Sequence, residues 1–228
     1  MKILCFIPAR SGSKEIKNKN LTKINGKPLI YYTLSFAKKI KNIYVFVSTD
    51  SKKIKKYCEK FIKKSNYLRP KFLSGDKSLI IDSVFHALSW LEKEKKLKFN
   101  AVMLLQPTSP LRDLNEIKKA IINFKRKKLK SMIAVTHMKE HPFECIKLNN
   151  NNWNYIAKSN KKIIKGRQDY EKNYFFINGS FNIPKVSFLK KYKIFTVRNK
   201  TKIFIQKKTI SIDIDSNSDL KMVASFLK

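Results

Sequence analysis

The chain has 228 residues, enough for one substantial core, and its hydrophobic fraction of 43% is ordinary for a folded globular protein. No apolar run approaches the roughly 20 residues that span a bilayer, and the apolar start is broken by Pro8 and Arg10, too early for a secretory leader. The formal charge is +35, yet only six of the 51 basic residues are arginine, the side chain suited to bidentate phosphate and base contacts. The lysines lie mainly between apolar positions of helical stretches such as 52–64 and 118–130, where they read as solvated faces rather than a nucleic-acid surface. Cys5, Cys58 and Cys145 are scattered and have no metal-type spacing, which predicts a reduced, cytoplasmic protein, and with the charge and hydropathy above neither a nucleic-acid nor a membrane partner is expected.

In chain order, short apolar runs rich in β-branched residues recur at Ile3–Ile7, Ile43–Val47, Ala101–Leu105 and Ser131–Val135. Between them lie residues at helical spacing: Ile30, Leu34 and Ala37; Ile54, Cys58 and Phe61; Val84, Leu88 and Leu91; Ile117, Ile121 and Phe124. Alternating strand and helix predicts an α/β fold with a mostly parallel sheet covered by helices. Beyond Met138 the pattern turns polar-aromatic and includes Asn149 to Asn152. Strand-like runs resume at Phe175–Ile177, Phe181–Ile183, Lys202–Ile205 and Ile210–Ile214, so roughly 138–177 reads as an excursion within a single domain, 1–228.

Polar clusters follow the strands. Arg10-Ser11-Gly12-Ser13-Lys14 comes after the first, Ser48-Thr49-Asp50 after the second, Gln106 to Arg112 after the third, and Asp213 and Asp215 close the last strong run. Small residues and backbone N–H groups allow a phosphate chain to approach the first cluster closely, and its cations cancel the charge. Ser48-Thr49-Asp50 also reads as a helix cap. Ligands of open α/β sheets bind outside the carboxyl ends of strands, so the four clusters are expected to share one crevice. Carboxylates two apart on an extended segment point to one side, which suits Asp213 and Asp215 to a Mg²⁺ ion completed by substrate phosphate. The loop is neither G-x-x-x-x-G-K-[ST] nor G-x-G-x-x-G, so neither a P-loop NTPase nor a dinucleotide dehydrogenase is indicated.

Taken together, Ile7 to Lys14, Lys19-Asn20, Asn25 to Leu29, Ser48 to Asp50, Leu105 to Arg112, Arg167-Gln168, Asn178-Gly179 and Ser211 to Asp215 occur in an order that resembles the N-acylneuraminate cytidylyltransferases and their legionaminate and pseudaminate relatives. The resemblance covers nearly the whole chain. It implies a Rossmann-like, three-layer nucleotidyltransferase fold with a mostly parallel sheet, and a homodimer whose excursion reaches over the partner's site. The implied reaction joins CTP and a nonulosonic acid, giving the CMP-sugar and pyrophosphate.

By position, the resemblance gives Arg10, Ser13, Lys14 and Lys19 to the triphosphate and places Asn20 near the cytosine. Gln106, Arg167 and Asn178 fall to the sugar acid, Arg167 as a cation that the partner protomer supplies. Asp213 and Asp215 hold Mg²⁺, and Arg10, Lys19, Asp213 and Asp215 are the residues expected to carry catalysis. No side chain reads as a general base. Glu15, Leu79, Ile80, Glu144 and Asn182 depart from the family pattern, mostly around the sugar, which leaves the acceptor open. Two other classes compete: a related nucleotide-sugar enzyme (a Kdo-type cytidylyltransferase or an Asp-x-Asp glycosyltransferase) and a basic polyanion-binding protein.

Overall fold

A computed structural model describes residues 1–13, 15–150, 152–157, 170 and 173–227. The first half contains β1 (Ile3–Pro8), the two-residue strands β2 (Lys23–Ile24) and β3 (Lys27–Pro28), α1 (Leu29–Lys38), β4 (Ile43–Ser48), α2 (Lys52–Cys58), α3 (Ile80–Lys95) and β5 (Ala101–Leu104). The second half contains α4 (Leu114–Arg126), β6 (Ser131–His137), β7 (Ile146–Asn149), β8 (Asn152–Tyr155), β9 (Phe175–Pro184), α5 (Val186–Tyr192), β10 (Thr201–Ile205) and α6 (Asn217–Phe226). Among the described residues no helix is long and apolar enough to cross a membrane.

Six strands form the central sheet in the order β10-β6-β9-β5-β1-β4. β1 runs parallel to β4 and β5, β10 runs parallel to β6, and β9 lies antiparallel between the two sets. Side chains of β1 alternate between two cores because successive strand residues point to opposite faces. Ile3, Cys5 and Ile7 pack with α1, α2 and α4, while Leu4 and Phe6 pack with α3 and α5. Both faces are covered, which is why β1 reads as an unbroken apolar run. The expected three-layer, mostly parallel α/β architecture is the observed one. A third cluster, formed by Ile16, Ile24, Leu29, Ile214 and Val223, seats α6 against the loop that follows β1.

Several local expectations are corrected. Ile210–Ile214 is not a strand; its backbone tie to the sheet side is Ile214 N–H donating to Thr108 O at 2.8 Å. Phe175–Ile177 and Phe181–Ile183 belong to one strand, β9, interrupted by a bulge. While β6 advances from Ile133 to Val135, its partner runs from Asn182 to Ile177, and Gly179 takes φ +66° inside that bulge. Helix α2 ends at Cys58, so Phe61 packs from beyond its terminus. Helices α5 and α6 occupy stretches for which periodicity gave no helix. Within the excursion, β7 and β8 form an antiparallel hairpin exposed along its whole length, and β9 already begins at Phe175.

Candidate active site

The loop after β1 is pinned from both sides. Ala9 N–H donates to Ser48 O at 2.9 Å, and both Ser11 N–H (2.8 Å) and Ser11 Oγ (2.6 Å) donate to the Asp50 carboxylate. Asn20 Nδ2 donates to Arg10 O at 2.9 Å. The cap expected from Ser48-Thr49-Asp50 falls one residue later, on the Ser51 hydroxyl, because the Asp50 carboxylate is taken up by Ser11. Asp50 fixes the loop that precedes the nucleotide-type residues. Asn18 sits at φ 56°, a left-handed conformation that Asn tolerates, and turns the chain into the short 3-10 segment Lys19–Leu21.

Lys19 is buried, and its ammonium donates to Ile214 O at 2.7 Å and to Asp215 at 3.0 Å. The Asp213–Asp215 segment is thus held by Lys19 on one side and by Thr108 on the other. Ile214 is fully buried while both aspartates are exposed, so the two carboxylates share a face as the alternation requires, without a strand. Asp213 accepts from Ser109 Oγ at 3.1 Å. Asp215 precedes α6, where Ser216 and Asp219 form a reciprocal capping box and Asp219 also accepts from Asp215 N–H at 3.0 Å.

Arg112 braces the third cluster. Its guanidinium donates to Gln106 O (2.6 Å), Ser180 O (2.8 Å) and Thr33 Oγ1 (3.1 Å), and removal from water pushes its pKa down to about 10. It joins the Gln106 loop to β9 and α1 and lies behind the site. Glu116 of α4 is buried and ties down the chain after β10. It accepts from Lys207 N–H (2.6 Å), Lys208 N–H (3.0 Å) and Thr209 Oγ1 (2.7 Å), and from Gln206 Nε2 at 3.2 Å. Burial pushes the Glu116 carboxyl up, but these hydrogen bonds outweigh it and hold the group below the usual carboxylate range.

One cleft of about 470 Å³, a size suited to a nucleotide-scale ligand, is lined by three of the four clusters; Ser48-Thr49-Asp50, expected to share it, does not line it and instead braces the first loop from behind. It is lined by Arg10, Ser13, Lys19, Asn20, Gln106, Asp213 and Asp215, seven of the residues that the sequence put forward. Glu15 and Ile80 line it as well, Glu15 as an exposed carboxylate beside the phosphate-type loop. Arg10 is joined to Asp76 at 2.9 Å. Asn178 lies elsewhere: it is buried, donates to Gln206 Oε1 at 2.9 Å and accepts from Ser180 N–H at 3.1 Å, which makes it part of the Glu116 network. Lys14 and Arg167 fall outside the described residues. Sequence reasoning missed Arg69, a buried cation that also lines the cleft, and the Ser109 hydroxyl on Asp213. The available signal for Arg69 was its type, one of only six arginines among 51 basic residues.

A doubly covered, mostly parallel sheet with a cation- and carboxylate-lined cleft past its strand ends is the arrangement of a nucleotidyltransferase. The structure of CMP:2-keto-3-deoxy-manno-octonic acid synthetase complexed with CTP superposes with a TM-score of 0.72 at 15% identity, covering 99% of this chain and 98% of that one. The chain belongs to the cytidylyltransferase family, whose family model matches residues 4–226. Among its relatives, the pseudaminic acid cytidylyltransferase of Campylobacter jejuni is 31% identical over 232 residues, which cover 100% of this chain and 97% of that protein. The N-acylneuraminate cytidylyltransferase of Streptococcus agalactiae is also 31% identical, over 100% of this chain but 54% of its own longer sequence.

Proposed function

We propose that this cytidylyltransferase transfers the cytidylyl group of CTP to the anomeric hydroxyl of a nonulosonic acid of the sialic, legionaminic or pseudaminic type. The observation that carries this reading is the convergence of Arg10, Lys19, Gln106, Asp213 and Asp215, from three separate stretches of chain, on one cleft. The hydroxyl oxygen forms a bond to the α-phosphorus, and the bond to the bridging oxygen breaks. Pyrophosphate leaves with that electron pair, and the hydroxyl proton is released. Arg10, Lys19 and the Ser13 hydroxyl face the phosphates and stabilise the charge that grows on them, with Lys14 expected to join them. Asn20 contributes through the loop it pins, and Gln106 meets the acceptor.

Asp213 and Asp215 offer hard oxygen donors on one face and suit a Mg²⁺ ion that takes its other ligands from phosphate and water. When bound, such an ion supplies Lewis-acid stabilisation of phosphoryl charge. Until then Lys19 holds Asp215, and Ser109 holds Asp213.

A homodimer is part of the proposal. Leu148 and Trp153 pair across the hairpin, and both are exposed, as are Phe176, Ile203 and Ile205 on β9 and the edge strand β10. A second copy would cover this apolar surface and bring the 138–177 excursion, including Arg167, to its neighbour's cleft. Buried free thiols at Cys5 and Cys58 suit a reducing cytoplasm. The test is pyrophosphate release with Mg²⁺ across sialic, legionaminic and pseudaminic acids and all four nucleoside triphosphates. Release with CTP and one of these acids is expected; no release in any combination overturns the reading.

A further inference from the structure

Arg69 enters the cleft from the irregular stretch between α2 and α3, and one residue grips it. Its Nε–H donates to Ser48 Oγ at 2.9 Å, and an Nη2–H donates to Ser48 O. Its own N–H meets Thr49 O at 2.8 Å, so backbone and guanidinium are both tied to the end of β4. The other guanidinium N–H groups have no protein acceptor among the described residues, although Arg69 is only 5% exposed and lines the cleft. They are available to an acceptor oxygen of whatever fills it.

The grip continues inward. Ser48 Oγ lies 3.2 Å from Tyr67 OH, which lies 3.1 Å from His86 Nδ1 on α3. Proton counting gives this chain a direction. An arginine Nε–H only donates, so Ser48 Oγ accepts from it. Ser48 is fully buried, and among the described residues its hydroxyl has no partners besides Arg69 and Tyr67. Its proton therefore goes to Tyr67 OH, and the Tyr67 proton goes to His86 Nδ1, which must be bare. The opposite direction would bury the Ser48 proton without an acceptor, a penalty that folded proteins avoid.

The surroundings agree with this direction. Burial lifts the Tyr67 phenol above its ordinary value, against smaller effects of Ser48 and Arg69, so it keeps its proton. Burial also holds His86 below the usual histidine range, which favours the neutral ring. The Tyr67 ring is wedged edge-on against Phe46 (4.8 Å) and Trp90 (5.3 Å), so its hydroxyl has little freedom to turn away.

We propose that Tyr67 and His86 are positioning residues for nucleotide binding: through the Ser48 hydroxyl they fix the guanidinium of Arg69 toward an acceptor oxygen of the nucleotide. This rests on the nucleotide reading of the cleft given above. Neither residue touches the ligand. Their effect is on the orientation of a group that does, and a single hydrogen bond in such a chain is worth about a five- to tenfold change in affinity.

The test uses the full-length enzyme. Tyr67→Phe keeps the ring and removes the hydroxyl; it should raise KM for CTP about five- to tenfold, with kcat and the KM for the sugar acid within about twofold of wild type. His86→Leu should do the same, and His86→Asn, whose amide oxygen can stand in for Nδ1, should restore KM to within about twofold. A second measurement needs no turnover. In protein labelled with ¹⁵N-arginine, the Arg69 Nε–H signal, assigned with Arg69→Lys, should exchange with water at least about tenfold faster in Tyr67→Phe and His86→Leu than in wild type or His86→Asn.

Unchanged KM for CTP in Tyr67→Phe overturns the proposal, whatever the exchange rate. So does an equal loss in kcat and both KM values accompanied by a lower Tm, which marks a purely structural role. If wild type turns over no CTP, the nucleotide reading fails on its own, and unchanged Arg69 exchange in the variants separately removes the chain of hydrogen bonds.

Discussion

Gly179→Ala offers a direct test of how the bulge in β9 serves the site. At φ +66° an L side chain costs about 1–2 kcal/mol relative to glycine. For a chain of this size that lowers Tm by about 2–8 °C. A second effect is specific to this position, because a Cβ built there lies 2.9 Å from Ser109 Oγ. The hydroxyl must rotate away, and rotation breaks its 3.1 Å bond to Asp213. Asp213 is exposed, so the loss of that bond is worth about 1 kcal/mol, or about fivefold in kcat.

The two effects separate in a double-mutant cycle. Ser109→Ala alone should lower kcat about fivefold and leave Tm nearly unchanged, since it frees Asp213 without straining the backbone. Gly179→Ala with Ser109→Ala should retain the Tm loss but lower kcat no further than either single change, because both act on the same bond. Thermal melts and pyrophosphate release measure the two quantities. If Gly179→Ala keeps Tm within about 1 °C of wild type, or if the two effects on kcat multiply in the double variant, the reasoning is refuted.

Other perturbations probe the remaining supports. Arg112→Lys cannot reproduce three bonds to Gln106, Ser180 and Thr33, so a stability loss of about 3 kcal/mol is expected, with a raised KM for the sugar acid as the Gln106 loop loosens; a stable variant with unchanged KM contradicts this. Asp213→Ala and Asp215→Ala should each lower turnover by roughly two orders of magnitude or more while circular dichroism stays native, and near-normal rates in both would remove the carboxylates from the reaction. Glu116 has a folded pKa below its unfolded value, so its stabilisation is fully present above the unfolded carboxylate range near pH ~4.3 and disappears as pH falls through the folded value. The Tm gap between wild type and Glu116→Gln should therefore hold from pH 7 to about pH 5 and close at lower pH; a gap that widens on acidification reverses the assigned sign.

Much of the frame was legible because burial on both faces leaves an uninterrupted apolar signature in β1, β4, β5 and β6. What escaped reading did so for physical reasons. The Asn178-Gly179-Ser180 bulge places two buried polar residues and a glycine inside β9, which breaks the run that would identify one strand. Helix α5 spans Val186–Tyr192, two turns that carry no sustained period. Helix α6 did leave a mark, since Ser216 and Asp219 have capping-box spacing. Ile210–Ile214 has strand composition, but Ile212 and Ile214 pack into the α6 cluster and Ile210 is exposed, so no neighbouring strand takes them up.

The site divides in the same way. Loops that follow strands carry their chemistry locally, so Arg10, Lys19 and Gln106 stood out, whereas the Asp213/Asp215 pair stood out through its alternate spacing, with no strand before it. Asn178 has the same polar character, but tertiary contacts engage it in the Glu116 network. Arg69 reaches the cleft from a stretch with no regular structure, and only its residue type marked it.

The charge of the chain makes a final distinction. A net +35 suggests a surface for any polyanion, yet among the described residues the lining of the cleft does not share that balance. Arg10, Lys19 and Arg69 line it together with Glu15, Asp76, Asp213 and Asp215, and the 16 acids of the whole chain are otherwise sparse. Arg10 and Lys19 each already hold a carboxylate, so a bare polyanion entering the cleft must displace those pairs and meet exposed aspartates. On the proposed reading, a triphosphate carrying a divalent cation would meet the opposite situation, since Asp213 and Asp215 would hold its cation and Arg10 and Lys19 would be left to its phosphates. The lysine-rich surface and the cleft would then respond to different ligands. Salt should weaken nonspecific adsorption to the surface steeply while changing KM for metal-bound CTP much less. Parallel salt slopes for DNA adsorption and for KM would show instead that one charged surface serves both.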